Sequence, residues 1–559
     1  MFARKTLLPA FMVVLLSAIV GCGGCHGCQN IVAPGTSSLS APTDLVLVGA
    51  TASTVTFSWT ASKDGKGIAG YKVYRNSSQV GKTTGTSYED VGLLASTTYN
   101  YAVSAYDSAG DASATSSPLS ATTAQTTGSR TIALPLKASA NKRYLVDQNG
   151  TPVLLVGDSP HTLFANISES SATQYFRDRA AHGVNALWAE ILVNAALAGR
   201  SDGSTYDGIV PFTTPNDFST PNPAYFQRVD DMVHLAGQYG ITIFLDAFEN
   251  DGWTNIVEQN GPTKDYNFGA YLGNRYKSFP NIVWIIGNDF QTWNSNPTDN
   301  ADALAIIQGI LSADKNHLLA TELNFNMSGS LDNSLLAPYT SLAGAYTYFP
   351  PYYEVKSQYN NAQMAPVFLE ESYYEGDSYG NLSPNTATPL MLRKIAYQSM
   401  LSGSTAGYMY GSIYWKFQSG WQTGIDSAGA ADLARWGSFF NSIAFYNLAP
   451  DQSHAFVTAG YGTPSGNNTG NIETDTYVTA AITSDGTLGI AYLPSASTSI
   501  SVNMAAFSGS VKAQWYDPTS GFRTPVSGSP FSNSGSQSFN APGSNSTGDA
   551  DWVLLLQVE

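Results

Sequence analysis

The sequence predicts a multidomain chain in which a (β/α)8 TIM-type barrel lies between two β-sandwiches. Three observations carry this. Between Val153 and Tyr410, short apolar runs recur, each the length of one strand buried on both faces, and helical patterns fall between many of them. On both flanks the pattern changes to short alternating runs separated by Gly, Asp, Asn and Ser. Stretches rich in Ser, Thr, Pro and Gly separate the first sandwich from what precedes and follows it. At 559 residues the chain is too long for one ordinary domain of roughly 150 residues.

The N-terminus comes first. Arg4 and Lys5 precede Leu7 to Val20, an apolar stretch shorter than the roughly 20 residues that span a bilayer. Residues 1–21 therefore read as a signal peptide. Ile19-Val20-Gly21-Cys22 is similar to the bacterial lipobox, which implies lipidation of Cys22. The expected location is extracytoplasmic, with the chain anchored to a membrane (outer membrane or cell surface) through that lipid. All 3 Cys fall at 22, 25 and 28, so no disulfide staples the domains. Cys25-His26-Gly27-Cys28 resembles half a metal site without its second pair of ligands. No metal and no cofactor are expected. Residues 22–41 read as a tether.

Residues 42–123 hold the first sandwich. Its strands include Thr54 to Trp59, Gly70 to Tyr74 and Tyr99 to Val103, with Trp59 and Tyr71 as inter-sheet core. Gly92-Leu93-Leu94 with Thr98-Tyr99-Asn100-Tyr101 looks like a tyrosine corner. With Val103 to Gly110 it makes the segment resemble a fibronectin type III domain. Residues 124–136 read as a linker.

The barrel is expected over 137–447. Its strands are predicted at Val153–Val156, Ala186–Leu192, Ile241–Ala247, Ile282–Ile286, Leu318–Leu323, Ala343–Tyr348, Val367–Glu370 and Gly407–Tyr410. Tyr225–Tyr239 shows the helical spacing, and Gly240 ends it. An open doubly wound sheet is the competing fold. It lacks a Gly-rich phosphate fingerprint after the first strand. Residues 448–559 return to a pure β pattern, the C-terminal sandwich.

A net charge of -16 without a run of Lys or Arg excludes nucleic acid as a partner. It also disfavours polyanionic substrates. Aromatic residues reach 12%, which suits flat contacts with sugars. The expected partner is a carbohydrate substrate, and the expected state is a monomer.

In a barrel, function sits at the C-terminal strand ends. The polar residues there are Asp158, Glu190, Asp246 with Glu249, Asn288 and Asp289, Glu322, Tyr346 and Tyr348, and Glu370 with Glu371. His161 is the histidine near a strand end. No Gly-x-Ser-x-Gly elbow and no His-rich cluster appears, so acids dominate. Glycoside hydrolysis needs an acid on one side of the sugar and a carboxylate on the other. The fourth and seventh strands face each other across a barrel. Asp289 is therefore expected as acid/base and Glu371 as nucleophile or base, with Asn288 holding a sugar hydroxyl. His161, Asp246 and Tyr346 are expected to contact substrate, and Asp158 either to bind a substrate hydroxyl or to hold the rim together. Trp253 and Trp421, after the third and eighth strands, are preferred over Trp188 and Trp415 for stacking on sugar. Trp284 reads as core.

Further residues carry a family resemblance. Arg143 to Asp147 with Gly150-Thr151-Pro152, Gly157 to Pro160, Pro280 to Asp289, Glu371 to Glu375, and Ala406 to Gly411 with Trp415 resemble the apiosidase-like glycoside hydrolases. Trp515 to Gly521 and Asp551 to Leu554 resemble their collagen-binding-like C-terminal domain. The resemblance implies a barrel hydrolase with Asp289 as acid and Glu371 as partner. It suggests pectin side chains as substrate. Strand alternation points Glu370 away from Glu371, so only one should face the pocket. Family members often carry Trp where this chain has His161, and a Trp-Gly pair near Asp246. Sugar specificity is therefore expected to differ. The rival function is a non-catalytic carbohydrate- or matrix-binding surface lipoprotein, which has no need of the acid pair. A protease lacks a recognisable site.

Overall fold

The computed structural model describes residues 39–50, 54–63, 67–91, 93, 97–123, 132–248, 250–324, 327–379, 386–495 and 499–559. The signal peptide, Cys22, Cys25, Cys28 and Glu249 lie outside the described residues.

The barrel strands are β1 (Leu155–Asp158), β2 (Ala186–Glu190), β3 (Thr242–Asp246), β4 (Ile282–Ile286), β5 (Leu319–Thr321), β6 (Ala343–Thr347), β7 (Val367–Glu371) and β8 (Gly407–Tyr410). They hydrogen-bond in the order β5-β4-β3-β2-β1-β8-β7-β6, all parallel. The ring is nearly closed. A short strand, Met327–Gly329, pairs antiparallel with β6 and leaves a seam beside β5. Side-chain and loop bonds cross that seam: Thr321 Oγ1 donates to the Ser330 carbonyl (3.2 Å), and Ser341 N to Leu319 O (2.9 Å).

Alternation sorts each strand. Leu155, Trp188, Phe244, Val283, Ile285, Phe368 and Met409 fill the interior. Leu187, Ile243, Leu245, Trp284 and Leu369 face the helices. The helices begin where the sequence supplies caps: Ser168 caps Glu169–Ala181, and Asn222 with Pro223 starts Pro223–Gln238. Gly240 follows the latter at φ 73°.

The N-terminal sandwich packs strands Thr43–Ala50, Thr54–Thr60 and Ser87–Val91 against a four-stranded sheet. Its core holds Val55, Phe57, Trp59, Tyr71 and Tyr101. The Tyr101 hydroxyl donates to Asp90 (2.7 Å), which also pairs with Arg75. The C-terminal domain has a six-stranded and a three-stranded antiparallel sheet. Arg393, on the helix Pro389–Leu401 between β7 and β8, fastens it to the barrel. Its guanidinium binds Asp551 through two bonds of 2.9 Å, Asp432 at 2.7 Å and Asp549 at 2.7 Å, and is itself buried.

The helices Asn250–Tyr276 and Pro297–Ala313 pack with backbones in contact. A Cβ on Gly269, Gly273 or Gly309 would collide with the carbonyl of Ile306, Ile310 or Tyr266. Asp265 and Asp302 are fully buried between these helices. Burial, then the Asp302 carboxylate, pushes Asp265 up to about 8. The folded state thus keeps a proton that the unfolded chain releases near pH 4. This contribution to stability is present in acid and is lost as pH rises towards 8. Asp265→Asn should gain stability on the parent as pH rises from 5 to 8.5, read by thermal melts. An equal gap at both pH values would contradict this.

Candidate active site

The upper interior of the barrel is lined with acids. Glu190, Asp246, Glu322 and Glu370 are fully buried, and Glu371 is 6% exposed. Asp289 is half-buried. Among the described residues, no Lys or Arg forms an ion pair with Glu322, Glu370 or Glu371.

Asp289 follows β4 through Gly287 and Asn288. Gly287 has φ 84° and Asp289 φ 50°, so the chain turns through the left-handed region on leaving the strand. Glu322 holds the turn: its Oε2 accepts the Asp289 amide at 3.0 Å and Asn288 Nδ2 at 3.4 Å. Aspartate tolerates this conformation better than most side chains. Burial, then the charges of Glu371, Glu370 and Asp289, drive Glu322 well above the usual carboxylate range.

Glu371 is held by tyrosines. Tyr346 and Tyr348 hydroxyls each lie 2.9 Å from its Oε1, and the Tyr374 hydroxyl lies 2.8 Å from its Oε2. The Tyr346 hydroxyl also donates to Asp289 Oδ1 at 2.8 Å, so one hydroxyl touches both acids. Burial first, then the Asp289 charge, raises Glu371 to about 8, with the tyrosines pulling it down.

His161, after β1, is buried beside them. Its Nε2 lies 2.6 Å from the Tyr374 hydroxyl and 3.8 Å from Glu371 Oε2, and its Nδ1 lies 3.2 Å from Glu190. Trp188 is interior and donates from Nε1 to Asp246 (3.3 Å), whose other oxygen takes the Phe248 amide (3.3 Å).

Glu370 and Glu371 differ from the expected alternation. The β6–β7 register slips between Leu369, opposite Ala345, and Glu371, opposite Tyr346. This bulge leaves Glu370 following Phe368 inward and turns Glu371 back to the rim. Glu370 fills the space that a side chain on Gly344 would occupy. The two acids thus stand in successive layers.

Asp158 is not at the mouth. It shares the parity of Leu154 and Val156 and faces the helices, where it takes Tyr175 (2.6 Å) and Arg179 (3.3 Å). Trp253 is 1% exposed, packed on Phe212 and Phe218. Trp421 is 3% exposed, edge-on to Phe417 and Tyr175. Both are core, because the segments after β3 and β8 fold back onto the barrel wall. Trp415 lies by the site instead, half-buried, its ring centroid 5.7 Å from that of His161 and its Nε1 bonded to Asp377 (2.8 Å). Tyr374 has no role in the sequence reading. Its signal was its place in the turn that carries Glu371.

The family described as "Apiosidase-like, catalytic domain" matches residues 139–447, more than half of the chain. The chain belongs to the apiosidase-like family. Its hydrolase barrel is accompanied by matches to a fibronectin type III domain at 40–122 and a collagen-binding-like domain at 467–557. Exoglucanase B of Cellulomonas fimi is 46% identical over 104 residues, 18% of this chain and 10% of that protein. Chitinase A1 of Niallia circulans is 36% identical over 137 residues, 24% and 19% of the two chains. The matched stretches therefore span only 10% to 19% of those curated relatives. A solved glycoside hydrolase superposes with TM-score 0.65 at 20% identity, over 76% of this chain and 97% of that one. A family 5 glycoside hydrolase from Bacteroides vulgatus gives TM-score 0.65 at 19% identity, over 76% and 93%. At such identity these two show the fold.

The placement of Asp158 gives a test of the apiosidase-like barrel. Arg179→Met leaves a buried, unpaired carboxylate and should cost about 3–5 kcal/mol in urea unfolding. Asp158→Asn should likewise lower stability while leaving KM of the folded fraction unchanged. A raised KM at unchanged stability would return Asp158 to the substrate.

Proposed function

We propose that the chain is an extracytoplasmic, lipid-anchored glycoside hydrolase that cleaves a plant cell-wall polysaccharide, with pectin side chains as substrate class, by a retaining mechanism on Asp289 and Glu371. The observation that carries the mechanism is the shared hydroxyl of Tyr346. It lies 2.8 Å from Asp289 Oδ1 and 2.9 Å from Glu371 Oε1. Those oxygens are therefore less than about 6 Å apart, close to the 5–5.5 Å separation of retaining pairs and below the usual inverting range of about 6.5–9.5 Å.

The roles follow from the surroundings. Asp289 stands at the more open end and protonates the leaving glycosidic oxygen. Glu371, deeper and faced by hydroxyls, attacks the anomeric carbon and forms a glycosyl ester as the C–O bond breaks. Asp289, now a carboxylate, takes a proton from water, which displaces Glu371 and restores both groups. Asn288 and Tyr346 are placed to hold sugar hydroxyls next to the reacting carbon. Trp415, half-buried beside His161 with Lys416 Nζ 4.6 Å from its ring centroid, is the indole assigned to sugar contact. Cys22 supplies the membrane anchor, and the Arg393 contact supports a bracing role for the C-terminal domain in a monomer.

Purified residues 29–559 incubated with pectic and other plant polysaccharides should release sugar. Asp289→Asn and Glu371→Gln should each lower release at least a hundredfold. Release that survives both changes would overturn the assignment and point to Glu322 or Asp246. Because Glu371 is raised to about 8 beside Asp289, the pair keeps one proton between them up to that pH. The kcat/KM profile should therefore fall above about pH 8. A fall beginning near pH 5 would contradict this.

A further inference from the structure

Glu371 works as a carboxylate in the proposed reaction, yet it has no Lys or Arg ion pair among the described residues. Asp289, after β4, disfavours its charge, and Glu371 in turn raises Glu322, after β5, and Glu370, beside it on β7. Hydroxyl donors must do the stabilising.

Each tyrosine hydroxyl has one proton to give. Tyr346 divides its proton between Asp289 and Glu371. Tyr374 faces a similar choice, because its oxygen lies 2.8 Å from Glu371 Oε2 and 2.6 Å from His161 Nε2. Whichever way His161 carries its proton decides where the Tyr374 proton goes.

The His161 ring is enclosed by Trp188, Trp415 and Tyr374, with centroids at 4.8, 5.7 and 5.9 Å. Burial depresses it to about 3, so it is neutral and carries a single N–H. Nδ1 lies 3.2 Å from Glu190 Oε1, but no described atom completes a hydrogen bond to it. Nε2 has a well-placed partner. A buried N–H left without an acceptor is rarer and costlier than a bare ring nitrogen, so the hydrogen belongs on Nε2.

We propose that His161 is a positioning residue for Glu371: its Nε2–H engages the Tyr374 oxygen as acceptor and so directs the Tyr374 proton onto Glu371 Oε2. This rests on the reading of Glu371 as nucleophile. With the other tautomer, Tyr374 would turn its proton to His161, and Glu371 would lose a donor. The neutral imidazole acts two atoms away from the carboxylate, and no charge enters the pocket.

The full chain labelled with 15N-histidine gives a direct reading, since it has only 6 His. Long-range 1H–15N spectra should show His161 neutral and in the Nε2–H form from pH 5 to 8. Tyr374→Phe should shift its Nε2 resonance. In kcat/KM for sugar release, Tyr374→Phe and His161→Leu should each raise the acid limb by about one pH unit. The double variant should move it no further, and His161→Gln, which keeps a donor at similar reach, should restore the parent profile. An Nδ1–H tautomer, titration near pH 6.5, or an unmoved acid limb in His161→Leu would overturn the proposal. Failure of the nucleophile reading shows separately, as unchanged release by Glu371→Gln.

Discussion

Acids crowd the mouth of this barrel, and the rest of the site is arranged around keeping their charges apart. Glu322 and Glu370 are driven towards the protonated form by burial and then by the Glu371 charge. Glu371 faces hydroxyls on both of its oxygens. A low-dielectric interior makes these differences large, because neighbouring carboxylates cannot all ionise. The result is a set of acids graded by burial, from the half-buried Asp289 to the sealed Glu370.

Two buried arginines are placed elsewhere. Arg179 ties the outer side of β1 to its helix, and Arg393 ties the barrel to the C-terminal domain. Both are buried, and each meets more than one acceptor, which offsets the desolvation of a guanidinium. Strong ion pairs therefore fix the frame, while hydroxyls and an imidazole tune the site. Exchanging the two devices would lock Glu371 as a permanent ion pair and leave the frame with weaker ties.

Much of this was legible in the sequence because it depends on periodicity. The apolar runs become β1–β8, and the acids that end two of them, Asp289 and Glu371, meet at one hydroxyl. Parity would also have assigned Asp158 correctly, since it lies two residues from Val156 and so on the same face. The bulge at Glu370 was not legible, because Glu370 and Glu371 are the same residue type and the slip is set by pairing with β6. Trp253 and Trp421 misled because position after a strand says nothing about which way the following segment folds. Tyr374 was hidden for the opposite reason. It reads as one more aromatic in a tyrosine-rich stretch until its hydroxyl is seen between His161 and Glu371.

The seam between β5 and β6 gives the barrel a preferred line of compliance. Elsewhere around the circumference, dilation must stretch a continuous ladder of backbone bonds. At the seam it works mainly against a few bonds such as Thr321 to Ser330 and Ser341 to Leu319. The residues on either side are Glu322, which pins the Asp289 turn, and Tyr346, which spans the two acids. Widening along this line would therefore shift the Asp289 turn relative to Tyr346 and Glu371.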